Sequence, residues 1–254
     1  VTVEIKLEKH GGWPVVNICI SAPTKLNAIG LSTALALQES LAQLPTNMRA
    51  LILTANTVDR AGKRFWIAGG DLKELAGLDQ AQAKKYAQIM RGVCEGFRQL
   101  PVPVLAFIDG AAIGGGAEWA IAADLRVGTA DTEFHWKQLS MGLPTGYGGS
   151  LRLRQLLGAH QAEAMIYFQK KLDAQGSLRS GLVHEIVDDK VAFEKILQNV
   201  CDIEPAAFAA QKKMFATHAS DSKNPTDLDH MFATSWKNPT HLRMLSSFLE
   251  KERP

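Results

Sequence analysis

Three segments of the chain are largely apolar on both faces of an extended backbone. In residues 14–20, Val15, Asn17 and Cys19 alternate with Val16, Ile18 and Ile20, and Leu51–Leu53 and Val102–Ile108 repeat the pattern. Strands of this kind must be covered on both sides, which is the condition of a mostly parallel sheet flanked by helices. The cover is present between them: Leu31–Leu44 and Ala81–Leu100 are long, rich in Ala, Leu and Gln, and carry apolar residues at helical spacing. Strand and helix therefore alternate, and the expected fold class is α/β. A chain of 254 residues accommodates one large domain, or one domain with a small appendage. From Lys190 the strand pattern stops, and Val191–Cys201, Pro205–His218, Asp227–Trp236 and Thr240–Lys251 read as helices. This divides the chain into a core, 1–190, and a C-terminal helical region, 191–254.

Composition narrows the function classes. Lys and Arg number 28 against 26 Asp and Glu, and a net charge of +2 supplies no basic field for nucleic acid. Cys19, Cys94 and Cys201 lie far apart without a CxxC pair, so neither a disulfide framework nor a zinc knuckle follows, and a reducing compartment is expected. The alternation of Val1, Val3, Ile5 and Leu7 is unlike the apolar core of a signal peptide, and no run of about 18 apolar residues occurs. The expectation is a soluble cytoplasmic protein with neither membrane nor nucleic acid as partner.

Chemistry concentrates at three glycine clusters: Ala68-Gly69-Gly70-Asp71, Gly114-Gly115-Gly116 before Ala117-Glu118, and Gly146-Tyr147-Gly148-Gly149 before Ser150. Each closes a strand or loop and opens a helix, where glycine lets bare N–H groups approach an anion; the same turns also serve plain chain reversal. None carries the Gly-Lys-Ser/Thr of a P-loop, and none forms GxGxxG after a strand with an acid about 20 residues on, so ATP and NAD are poorly supported. Glu118 stands in the first turn of a helix expected to continue through Trp119, Ile121 and Ala122, where a carboxylate also serves simply to complement the helix dipole. The seven histidines form no i, i+3 or i, i+4 pair for a metal, and no GxSxG elbow anchors a hydrolase triad.

The run from Val102 to Gly158, with DGAAIGGGAEWAIAADLRVGTADTEFHWKQLSMGLPTGYGG at its heart, resembles the crotonase superfamily, the enoyl-CoA hydratase/isomerase family. Lys25-Leu26-Asn27-Ala28 and Phe65-Trp66-Ile67-Ala68-Gly69-Gly70-Asp71-Leu72 agree with it, and the likeness extends through Ala174–Val187 into Phe248-Leu249-Glu250-Lys251. The resemblance implies a spiral of β-β-α units with a C-terminal helical trimerisation region, hence a homotrimer or hexamer. The substrate it implies is an acyl-CoA thioester, with no cofactor beyond the coenzyme A that the substrate carries. It also implies that the N–H groups of Gly70 and Gly115 hold the oxygen of a thioester enolate, one such donor being worth about 3 kcal/mol. Glu118 is then the acid/base, and CoA runs along Lys25, Leu26 and Ala28 and past Ala68, Asp71 and Leu72. Lys25 is the first choice of cation for its phosphates, or else an ordinary solvated lysine.

One position departs from the pattern. Hydratases of the family use two glutamates; the first matches Glu118, and the second, counted back from Gly142, is Gln138. An amide orients water or substrate but neither accepts nor returns a proton, which also disfavours the isomerase branch that works with the second glutamate alone. Methylmalonyl-CoA and ethylmalonyl-CoA decarboxylases keep only the first, and Trp236-Lys237-Asn238-Pro239-Thr240-His241-Leu242 resembles the Trp-x-x-Pro-x-x-Leu segment of the ethylmalonyl type. Trp236 equally suits plain core. The reading is a hydratase-type lyase, with decarboxylation of a short branched malonyl-CoA as the alternative. A catalytically silent CoA-binding scaffold is a third reading, opposed by the retained Glu118.

Overall fold

The structure, a computed structural model, describes residues 2–55, 57–59, 61–216, 238–240 and 242–243. It opens with a hairpin of β1 (Thr2–His10) and β2 (Trp13–Ser21), whose turn residues Gly11 and Gly12 have φ of 55° and 90°. Positive φ at both positions matches the twist of the paired strands, and glycine adopts it without strain. Then come α1 (Leu31–Ala42), β3 (Ala50–Ala55), β4 (Thr57–Val58), β5 (Arg64–Ile67), α2 (Leu72–Leu75) and α3 (Gln80–Gln99). The middle of the chain forms β6 (Val104–Ile108), β7 (Ala111–Ile113), α4 (Gly115–Ala120), β8 (Leu125–Gly128) and β9 (Glu133–His135). The remainder supplies α5 (Gly149–Tyr167), β10 (Lys171–Leu172), α6 (Ala174–Arg179), β11 (Glu185–Ile186), α7 (Lys190–Cys201) and α8 (Pro205–Ala216).

The strands form two sheets. One has the order β1-β2-β3-β6-β8-β11 and is parallel from β2 onward; the other, β10-β9-β7-β5-β4, has a parallel centre of β9, β7 and β5. The doubly apolar segments of the sequence are the middle of the larger sheet, and their period of two sorts them between two cores. Val16, Ile18, Ile20, Leu51, Leu53, Val104, Ala106 and Ile108 face the main core with Leu37 of α1, Phe97 of α3, Trp66 and Trp119. Val15, Ala50, Ile52, Leu105 and Phe107 face the other way, onto Phe193, Leu197 and Cys201 of α7. Phe107 stacks on Phe193 with centroids 4.7 Å apart.

Two of the four helices expected after Lys190 are α7 and α8. The other two, at 227–236 and 240–251, lie outside the described residues apart from positions 240, 242 and 243, as do Trp236, Lys237 and His241 of the decarboxylase-like segment. Lys212 anchors α8: its Nζ donates to the carbonyls of Phe97 and Val102 at 3.1 Å each and pairs with Asp124 at 2.5 Å. The helix carrying Glu118 is shorter than expected. It ends at Ala120, because the chain must reverse through 121–124 to enter β8, with the Asp124 N–H already on the Val104 carbonyl at 2.9 Å. Among the described residues no helix is long and apolar enough to cross a membrane.

Candidate active site

β5 and β7 run parallel with Phe65 opposite Ala111 and Ile67 opposite Ala112, so the turns that leave them emerge side by side. A β-carbon built on Gly69 would lie 3.7 Å from the Gly115 nitrogen. Gly70 and Gly115 are half-buried, and among the described residues neither N–H has an acceptor. For Gly115 the reason is its place as first residue of α4, where no carbonyl four positions back belongs to the helix. For Gly70 it is the bridge to Ile29. That bridge uses the Gly69 carbonyl and the Asp71 N–H, at 2.8 and 3.0 Å, and turns the Gly70 N–H to the other side. The approach of α4 to β5 also requires glycine at position 116, where a β-carbon would sit 2.3 Å from the Ile67 carbonyl oxygen.

The segment 25–28 lies against the first of these turns. Leu26 and Asn27 are left-handed, with φ of 50° and 58°. The Asn27 side chain fixes the turn by accepting the Ala22 N–H at 2.8 Å and donating to the Trp66 carbonyl at 3.0 Å. The Leu26 carbonyl takes the Ala68 N–H at 3.1 Å. Lys25, Leu26 and Ala28 are thereby brought beside Ala68, Asp71 and Leu72, the grouping expected for a CoA-binding edge. Ala28 is buried, Leu26 and Ala68 are half-buried, and Leu72 is exposed. Lys25 is not a free cation: its Nζ pairs with Asp71 at 2.5 Å, and that contact holds the Asp71 carboxyl below its ordinary value.

Glu118 is 1% exposed, and every acceptor position of its carboxylate is taken. Oε1 accepts the Gly146 N–H at 3.1 Å and Gln138 Nε2 at 3.0 Å; Oε2 accepts the Tyr147 and Gly149 N–H groups, both at 2.8 Å. Gly149 opens α5, so the carboxylate, which stands in the first turn of the helix that carries it, also closes the N-terminus of a neighbouring one. Burial pushes the Glu118 carboxyl above its ordinary value, and the four hydrogen bonds, which favour the charged form, reduce the rise without reversing it. Gln138 is half-buried at the start of a single 3-10 turn, Leu139–Met141. The structure places it on Glu118 as a donor.

Sequence reasoning gave no role to the groups behind this carboxylate. Arg152 is 3% exposed; its Nη1 donates to the Tyr147 carbonyl at 2.6 Å, and its Nη2 pairs with Glu95 of α3. Tyr147 is thus held at both its N–H and its carbonyl. The one hint of it in the sequence is a large side chain set among glycines, which have nothing of their own to fill the surrounding space. Among the described residues no group of three or more His, Cys, Asp or Glu side chains is placed to hold a metal ion.

Two parallel strands ending in glycine turns, with one buried carboxylate behind the second turn, are the arrangement that the crotonase resemblance leads one to expect. Comparison agrees: the family model for enoyl-CoA hydratase/isomerase matches residues 12–254. A short-chain-enoyl-CoA hydratase of Clostridium acetobutylicum is 30% identical over 184 residues, 72% of this chain and 68% of the relative. The mitochondrial enoyl-CoA hydratase domain-containing protein 2 of Mus musculus is 30% identical over 212 residues, 81% of this chain and 71% of the relative. The crystal structure of an enoyl-CoA hydratase from Thermoplasma volcanium superposes with a TM-score of 0.84 at 30% identity, covering 100% of this chain and 98% of that one. The chain belongs to the enoyl-CoA hydratase/isomerase family and is an acyl-CoA enzyme of the crotonase superfamily.

Proposed function

We propose that the chain is a hydratase-type lyase acting on a short-chain 2-enoyl-CoA, with Gly70 and Gly115 as oxyanion donors and Glu118 as the acid/base. The observation that carries this reading is the Gln138 amide on Glu118 Oε1. Of the four donors on the carboxylate, three are backbone groups of residues 146–149, and Gln138 is the one side chain, able to rotate away. A water that takes its place, its second O–H donating to the Gln138 side-chain carbonyl, gives its other proton to Oε1 as its oxygen bonds to the β-carbon. The electron pair of the double bond moves onto the thioester oxygen, where the N–H groups of Gly70 and Gly115 receive the charge without reorganising. The Glu118 carboxylic acid then returns the proton to the α-carbon, and one water has been added. A carboxyl already raised by burial suits a group that must both take and give a proton near neutrality.

CoA lies along Lys25, Leu26 and Ala28 and past Ala68, Asp71 and Leu72, and Lys25 reaches its phosphates only by sharing its charge with Asp71. The free cysteines Cys19, Cys94 and Cys201 fit a reducing compartment, in keeping with a cytoplasmic enzyme. A single carboxylate beside an amide also favours the second reading, decarboxylation of a short branched malonyl-CoA. Loss of CO2 makes the enolate without a base, and Glu118 then supplies one proton.

Gln138 separates the two. Hydration of crotonyl-CoA and decarboxylation of methylmalonyl-CoA are measured for the natural chain, Gln138→Ala and Gln138→Glu. In a hydratase, Gln138→Ala lowers hydration and Gln138→Glu raises it, since a second carboxylate activates the water. In a decarboxylase, Gln138→Glu gains nothing and repels the substrate's own carboxylate. High natural hydration that Gln138→Ala leaves intact would remove Gln138 from the reaction.

The homotrimer or hexamer is part of the same proposal. It rests on the family and on the apolar residues Met231, Phe232, Trp236, Met244, Leu245 and Phe248, more than a lone subunit readily buries. Light scattering at micromolar concentration is expected to return three or six times the chain mass; a monomer refutes it.

A further inference from the structure

Two tyrosines stand beside the site with no part in the chemistry above. Tyr86 lies on α3 and Tyr147 in the loop before α5; both are buried, and their rings meet edge to face with centroids 5.8 Å apart at 78°. Their hydroxyls are hydrogen-bonded to each other, and the Tyr86 hydroxyl donates onward to the Ile29 carbonyl at 2.8 Å. That carbonyl also accepts the Asp71 N–H, so Ile29 is where the 25–30 segment meets the Gly70 turn. At the other end the Tyr147 ring lies against Gly115. A β-carbon on Gly115 would come within 2.6 Å of Tyr147 Cε2 and 2.9 Å of its hydroxyl, and one on Gly70 would stand 3.8 Å from the Tyr86 hydroxyl. The paired hydroxyls therefore stand between the two turns, with Leu75 Cδ1, 2.8 Å from such a β-carbon, packed closer still to Gly70.

A phenol has one proton to donate. Tyr86 gives its own to Ile29, so Tyr147 must donate to the Tyr86 oxygen, and the chain runs Tyr147 to Tyr86 to Ile29. Burial pushes Tyr86 up to about 12 and Tyr147 well above its ordinary value, so both remain protonated at neutral pH.

We propose that this hydrogen-bond chain is a positioning device that sets the spacing between the Gly70 and Gly115 N–H groups. The proposal rests on the enolate reading given above. The two donors leave different strands on separate glycine turns, and a misplacement of about 1 Å costs on the order of a hundredfold in rate. Tyr147 is suited to the task because its peptide is already fixed by Glu118 and Arg152. Its hydroxyl extends that fixed point through Tyr86 to the opposite turn.

The test uses the full chain with Tyr86→Phe, Tyr147→Phe and the double variant, each of which keeps its ring. Amide hydrogen exchange of the free protein is expected to accelerate at 28–30 and 69–72 in all three. On whichever acyl-CoA the natural chain turns over, each single variant should lower kcat about tenfold and move KM less than about twofold. The double variant should lose no more than either single one, because two groups acting as a unit are not additive. Unchanged exchange overturns the device regardless of activity. Faster exchange with unchanged kcat, or losses that add in the double variant, overturns the positioning role. If the natural chain turns over no acyl-CoA, the enolate reading fails, and the exchange measurement still decides whether the hydroxyls tie the turns together.

Discussion

Glu118→Gln is expected to lower α-deuterium wash-in to butyryl-CoA by about 10²- to 10⁴-fold, the range that positioned acid/base groups supply. The comparison is demanding because the amide is nearly the same size as the carboxylate. It does not have the same hydrogen-bond character: backbone N–H groups face both oxygens of Glu118, so the NH2 of a glutamine must confront the Gly146 N–H on one side or those of Tyr147 and Gly149 on the other. Stability should therefore fall too, by about 1–3 kcal/mol for polar groups left unmatched, and a urea unfolding curve reads that loss separately from the rate. The pH profile gives a second measure. Taking a proton requires the carboxylate form, and because burial raises this carboxyl, the acid side of the exchange profile should fall away above the ordinary glutamate value of 4.5. A variant that exchanges α-deuterium at the natural rate would take Glu118 out of the reaction.

Gly115→Pro should lower turnover of crotonyl-CoA about a hundredfold or more relative to Gly115→Ala, the scale of one oxyanion donor. The alanine variant is the necessary reference. A β-carbon at this position meets the Tyr147 ring at 2.6 Å, so either substitution disturbs that ring, and only proline also deletes the N–H. Position 115 is otherwise favourable for the change. It is the first residue of α4, where proline fits the backbone and the missing N–H breaks no helical bond. Circular dichroism of both variants confirms that they fold. Equal turnover by the two would mean that the Gly115 N–H touches nothing in the transition state.

The larger sheet was legible because β2, β3 and β6 are apolar on both faces over enough residues for the pattern to count, and the long segments that became α1 and α3 stand between them. β6 begins at Val104 and not at Val102, since Pro103 has no N–H to contribute. The smaller sheet was not legible in the same way. Its strands are two to four residues long, too short for a period of two to stand out from a loop, yet they are the ones that aim Gly70 and Gly115. Glu118 and Gln138 were placed through the family resemblance, and the contact between them follows from a loop whose path no local pattern encodes. Tyr86 and Arg152 escaped for a related reason. Their partners Tyr147 and Glu95 lie 61 and 57 positions away, and neither side chain is unusual on a helix until the fold brings its partner to it.

The grip of Glu118 on the loop before α5 bears on how such chains change over evolutionary time. A carboxylate that takes three backbone N–H groups and finishes a helix N-terminus is useful to the fold even when no proton ever passes through it. A duplicated copy released from acyl-CoA chemistry would still suffer from its loss, so selection would hold the glutamate long after the reaction had gone. Its presence in a sequence is then a mark of ancestry and architecture. Position 138, whose side chain is only half-buried and supplies one replaceable hydrogen bond, is free to drift, and it is where divergence of the reaction should leave its first trace.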